Sequence, residues 1–148
     1  MLRAARQQGQ AVAKKQSWNV VIFSIGGMKL AARTEDVGGV TPWGKEIPVP
    51  SRTPFVDSLV KRDKDVMPVY DLASRLRRAL HEDSRLCLVA RHVDGPMAVC
   101  IDADIPSLHT VDAAQIRQSR RLDIETLGSF ERDGEDIEIV ALHRLGRH

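Results

Sequence analysis

Three short glycine-bearing turns, each set between two apolar runs, constrain this chain more than any other feature. Gly26-Gly27 separates WNVVIFSI (residues 18–25) from MKLAA (28–32). Asp94-Gly95 separates residues 85–93 from 96–101, and Asp133-Gly134 separates residues 126–131 from 136–141. Gly-Gly and Asp-Gly turns supply the positive φ that joins two antiparallel strands, so each marks a β-hairpin. A fourth hairpin is expected over residues 59–70, with Lys61-Arg62-Asp63-Lys64-Asp65 at its tip. The first strand is apolar at successive positions, so both of its faces must be covered. Many short strands with closely spaced turns point to an all-β sandwich or small barrels.

The segments between hairpins read as short helices and loops. Thr34-Glu35-Asp36 predicts a cap and one helical turn, broken by Gly38-Gly39. Residues 40–54 hold Pro42, Gly44, Pro48, Pro50 and Pro54, so a loop with one short strand at 47–49 is expected, then a helical turn from Phe55. Asp71 caps a helix with Leu72, Leu76, Ala79 and Leu80 on one face and Arg75, Arg77 and Arg78 solvated. Asp112 caps another, with Gln115 reaching back and Val111 and Ile116 as a staple.

Composition excludes several classes. At 148 residues the chain suits one domain with a substantial core. Residues 1–16 carry Arg3, Arg6, Lys14 and Lys15 and no acid, and are expected to be a disordered basic leader ahead of a domain over 17–148. Removing those four charges from the net +2 leaves about −2 for the domain, which argues against a nucleic-acid module. Aromatics make up only 4%, too few for base-stacking platforms. No run approaches the roughly 18 apolar residues of a membrane span. Cys87 and Cys100 flank the Asp94-Gly95 turn and are expected on adjacent strands as small buried hydrophobes, reduced in the cytosol.

No phosphate-binding, dinucleotide, nucleophile-elbow or zinc-protease motif is present, and histidines 81, 92, 109, 143 and 148 lack ligand spacing. Asp102 and Asp104, two apart on a strand, would point the same way and could act as paired carboxylates. A strand end running into a turn is the plainer reading. A binding or scaffolding role is therefore favoured, with no cofactor and no metal.

The stretch LVKRDKDVMPVYDL (residues 59–72) resembles the CheW-like domain, an adaptor module of bacterial chemosensory arrays. That family carries a segment of the form GxxNLRGxxxPVxDL, matched here at Leu59, Arg62, Pro68, Val69, Asp71 and Leu72. The opening VVIFSIGG, Ile101-Asp102, Ala114-Gln115-Ile116 and the final hairpin resemble the family in order and spacing. The resemblance covers about residues 17–145. It implies two small SH3-like five-stranded β-barrels packed around a shared core, without enzymatic activity. It also implies a cytoplasmic protein that couples a CheA-like histidine kinase, through its regulatory domain, to the cytoplasmic hairpin tip of a chemoreceptor. Contact with the membrane is then indirect, by recruitment to inner-membrane receptor arrays.

In the family the receptor is met at an apolar groove between the barrels, near the motif's arginine, here Arg62. Val37, Val56 and Leu59 are the apolar groove candidates, with ordinary core as the alternative. Asp63 stands where the family has glycine, Asp57 replaces an earlier glycine, and Gly39-Val40 replaces a usual Glu-Ile. These departures fall on the expected receptor face. They leave open an accessory scaffold of a non-flagellar pathway such as twitching motility. A basic-tailed, small-barrel nucleic-acid-binding protein is the more distant alternative.

Overall fold

A computed structural model describes residues 16–62, 64–80 and 85–146, with the Arg62 side chain outside that description. Residues 1–15 of the expected basic leader, Asp63, His81 and His148 lie outside the described residues.

The chain forms eleven strands in two sheets. They are β1 (Ser17–Ile25), β2 (Met28–Arg33), β3 (Val37–Pro42), β4 (Lys45–Pro48), β5 (Ser58–Arg62), β6 (Asp65–Val69), β7 (Arg85–His92), β8 (Gly95–Asp102), β9 (Ser107–Asp112), β10 (Thr126–Arg132) and β11 (Glu135–Val140). One sheet has the order β10-β11-β2-β1-β9, the other β3-β7-β8-β6-β5-β4. Strands three to eight are thus inserted between β2 and β9, and the first sheet is assembled from the two ends of the domain.

Both sheets close on themselves. In the first, Arg117 follows β9 by one 3₁₀ turn and exchanges two backbone hydrogen bonds of 2.8 Å with Ser129 of β10. In the second, the edge strands β3 and β4 are consecutive in the chain, joined by Trp43-Gly44. One bent strand therefore serves both edges, and the second sheet of six segments is a five-stranded barrel. Gly44 makes the bend possible, because a Cβ there would lie 2.6 Å from the Lys61 carbonyl oxygen.

Strand alternation fills three apolar layers. Val20, Ile22, Ala31, Phe130, Ile137 and Ile139 fill the first barrel. Val60, Met67, Val69, Cys87, Val89 and Ala98 fill the second. The opposite faces of the same strands, including Phe23, Ile25, Leu30, Leu88, Val99 and Ile101, meet between the barrels. That middle layer holds 18 buried residues, against seven and six in the barrel interiors. At about 1.5–3 kcal/mol per large buried side chain, most hydrophobic stabilisation lies between the barrels, so the native stability of each depends on the other. The expectation of two SH3-like barrels on a shared core, with both faces of the first strand covered, matches this arrangement.

The Gly26-Gly27 turn has φ of 57° and 82°, and Asp133-Gly134 has 51° and 79°, both the positive φ pair that suits a two-residue hairpin. At the middle hairpin His92 faces Gly95, so the turn is Val93-Asp94, one residue earlier than expected.

The helices are shorter than the apolar spacing predicts. Helix α1 covers only Leu72–Arg75. Asp71 caps it as expected, its carboxylate accepting from the Ser74 N–H at 3.1 Å. Arg77 then adopts φ 56°, Arg77 N–H donates to Ser74 O, and Arg78 N–H donates to Ala73 O. This paired closure ends the helix at its first turn and leaves Ala79 exposed. Residues 34–36 and 113–115 are single 3₁₀ turns. Arg33, not Thr34, holds the cap position of the first, and β3 starts immediately after it, with Gly38-Gly39 at a bulge rather than a break. Residues 40–54 contain the end of β3 and all of β4, more strand than the prolines suggested. Phe55 turns with φ 63° instead of opening a helix.

Candidate interaction surface

The second barrel presents an apolar row on its outer wall. Val60, Met67 and Val69 point inward, so alternation turns Leu59, Lys61, Val66 and Pro68 outward. Register aligns Ile47 with Leu59 and Leu59 with Pro68, and aligns Lys45 with Lys61 and Lys61 with Val66. Ile47 is 44% exposed and Val66 53%. Leu59 and Pro68 are half-buried by each other and by their neighbours. The result is an apolar strip across β4, β5 and β6 with two ammonium groups along one side.

Of the five residues proposed from sequence, the three with described side chains, Val37, Val56 and Leu59, do not share one surface. Val56 is 9% exposed and belongs to the layer between the barrels, and Val37 packs against that layer. Leu59 lies in the outer row. Arg62 ends β5 opposite Asp65, and Asp63 lies outside the described residues. Ile47, Val66 and Pro68 were missed. The alternation in residues 66–69 would have found two of them had the strand been phased against Val60.

Between the barrels, on the α1 side, is a cavity of about 590 Å³ lined by Tyr70, Arg75, Arg121, Leu122, Ile124 and Arg144 among others. Its lining mixes charged and apolar side chains. Arg121 pairs with Asp123 at 2.7 Å and Arg144 with Glu125 at 3.0 Å. Burial opposes ionisation of Asp123, but the hydrogen bond and charge of Arg121 outweigh it and hold the carboxyl below its usual range. Arg75 lies over the Phe55 ring at 5.3 Å, and Phe55 packs on Tyr70. Of the candidates whose side chains are described, Val37, Val56 and Leu59 do not line this cavity.

Asp102 and Asp104 have different surroundings. Asp102 is 2% exposed and accepts a hydrogen bond from the Gly27 N–H, whereas Asp104 is exposed and lines the mouth of the first barrel with Ser107 and His109. Arg78 donates to the Gly26 carbonyl at 3.2 Å, so one of the three arginines near α1 fastens the first barrel's turn. No group of three or more ligating side chains suited to a metal ion occurs among the described residues.

A paired-barrel architecture with this strand order is now joined by a direct sequence comparison: the family model of the CheW-like domain matches residues 19–148. The chain belongs to the CheW-like domain family. Among solved structures, the CheW-like fold is similar to the crystal structure of the scaffolding protein TtCheW from Thermoanaerobacter tengcongensis. The TM-score is 0.71 at 18% identity, over 85% of this chain and 90% of that one. No curated protein sequence matches the chain. Among the described residues, no helix is long and apolar enough to cross a membrane.

Proposed function

We propose that this CheW-like domain is a non-catalytic adaptor that couples chemoreceptors to a CheA-type histidine kinase. The observation that carries this reading is the outer row Ile47–Leu59–Pro68 with Val66, a contiguous apolar strip beside Lys45 and Lys61 on a rigid barrel wall. Exposed apolar strips with a charged rim are typical of protein–protein contacts. The kinase's regulatory domain and the receptor's coiled-coil hairpin tip are the proposed partners, with Arg62 at the receptor contact. Its planar guanidinium suits a carboxylate or paired carbonyls.

A second reading, an accessory scaffold with an altered receptor, draws support from Gly39. It replaces the family's usual glutamate, and a Cβ there would meet nothing within 4 Å. The surface is bare where a charged contact is expected.

Co-purification from the native cell tests both readings. Recovery of a CheA-like kinase together with a receptor supports the coupler, and a Leu59→Asp variant should lose part of that recovery while staying folded. Recovery of a kinase with a receptor outside the flagellar system favours the accessory scaffold. Recovery of nucleic acid in a salt-sensitive manner, with neither protein, would overturn both.

A further inference from the structure

Cys87 on β7 and Cys100 on β8 are direct cross-strand partners, and both are buried reduced thiols. Their pairing type follows from neighbouring hydrogen bonds. Tyr70 N–H donates to the Ala98 carbonyl, so Ala98 directs its polar groups toward β6 and away from β7. Trp43 N–H donates to the Arg85 carbonyl, so Arg85 directs its own toward β3 and away from β8. Register makes Val89↔Ala98, Cys87↔Cys100 and Arg85↔Asp102 alternate pairs of one kind, and all three are non-hydrogen-bonded. In such pairs the Cα atoms stand about 4.5 Å apart and the side chains are closest. That separation falls within the roughly 4.4–6.8 Å that a disulfide spans.

The two thiols differ in access. Cys87 lies in the interior of the second barrel. Cys100 lines a cavity of about 210 Å³ with Glu46, Asp71 and Arg85, whose positive charge acts on its sulfur. We propose that Cys87 and Cys100 are a redox modification site that closes to a cross-strand disulfide when a peroxide enters at Cys100. The Cys100 sulfur attacks one peroxide oxygen, the O–O bond breaks, and the sulfenic acid and one water form. The Cys87 sulfur then attacks the sulfenic sulfur, the S–O bond breaks, and a second water leaves with the Cys87 proton. Peroxide is the oxidant, and two thiols become one disulfide with two waters released. Burial pushes the Cys100 thiol up to about 12 against the pull of Arg85, so the thiolate is scarce at neutral pH and the resting state is the dithiol.

The test uses the full folded chain treated with hydrogen peroxide in mildly alkaline buffer, then alkylated under denaturing conditions. The expected result is a monomer that has lost two hydrogens and takes up no alkyl group. It should yield a Cys87–Cys100 linked peptide, elute unchanged on size exclusion and revert with dithiothreitol. Cys87→Ser and Cys100→Ser should each abolish the loss, and the peptide map of the unmutated chain decides the matter where these variants do not fold. Two alkylated cysteines, oxygen adducts without a cross-link, a disulfide between two chains, or cross-linking accompanied by a shifted elution volume would each overturn the proposal.

Discussion

The Gly27 N–H donates to the Asp102 carboxylate at 2.9 Å across 75 residues of sequence, fastening the turn of the first barrel's opening hairpin to the last residue of β8. The chain leaves the second barrel there. Where it enters, after β2, Arg33 holds the buried Asp36 through two hydrogen bonds of 3.0 and 3.2 Å. Each passage between barrels is thus held by a buried aspartate. Removing the Asp102 acceptor leaves a partly buried N–H without its partner. Asp102→Ala should cost about 1–3 kcal/mol in urea denaturation, and Asp102→Asn, which keeps an acceptor, should cost less. An alanine variant as stable as the parent would refute this strut.

His92 has a defined tautomer. Its Nδ1 accepts from the Asp94 N–H at 3.1 Å, so the proton resides on Nε2, which donates to the Leu145 carbonyl at 2.7 Å. The ring ties the middle hairpin to the C-terminal 3₁₀ turn. Long-range proton–nitrogen NMR of the neutral ring should report the Nε2–H form. His92→Leu should lose about 1–3 kcal/mol, because the Leu145 carbonyl is left unpaired. An Nδ1–H signal would contradict the assignment.

Glu46 lies at the rim of the second barrel, exposed overall but lining the cavity that holds Asp71, Arg85 and Cys100. Partial desolvation, aided by Asp71 and Asp57 and opposed by Arg85, raises its pKa above the ordinary 4.5. A raised carboxyl favours the proton in the folded state, so its ionisation destabilises the fold at neutral pH and not below the unfolded value. Glu46→Gln should therefore raise the thermal midpoint at pH 7, and the gain should fade on acidification below about pH 4.5. A gain that is constant with pH would point to packing instead.

Arg62→Ala should weaken binding of the receptor hairpin on the order of tenfold or more with little change in the melting temperature. Titration calorimetry with a receptor fragment, run beside a thermal melt, measures both. Unchanged affinity in a folded variant would remove Arg62 from the contact.

Much of the fold was legible because period and turn chemistry agree in the hairpins. Gly26-Gly27 and Asp133-Gly134 specify their turns by φ, and the alternation in residues 18–25 divides cleanly between two cores. Helix α1 was overextended because Leu72, Leu76, Ala79 and Leu80 keep helical spacing. An arginine in the left-handed region carries no sequence mark to warn of the stop. β4 was expected as a short strand at 47–49 and lies at Lys45–Pro48, starting two residues earlier. The candidate surface was the least legible part. A valine in a core and one on a docking face have the same composition, and only the register of three strands separates Val56 from Leu59.

The insertion of β3–β8 between β2 and β9 has a consequence for biosynthesis. Ser17 pairs with Asp112, so the first barrel waits for nearly the whole chain to leave the ribosome, whereas the second has all its strands once β8 has emerged. Growth from the ribosome therefore favours the inserted barrel as the template on which the outer one closes. Pulse-labelled hydrogen exchange during refolding should protect the β7–β8 amides before those of β1–β9, and the reverse order would exclude this sequence of events. Nascent β1 and β2 meanwhile carry Phe23, Ile25 and Leu30 without the layer that buries them, so the unfinished chain presents an apolar surface that the finished domain hides.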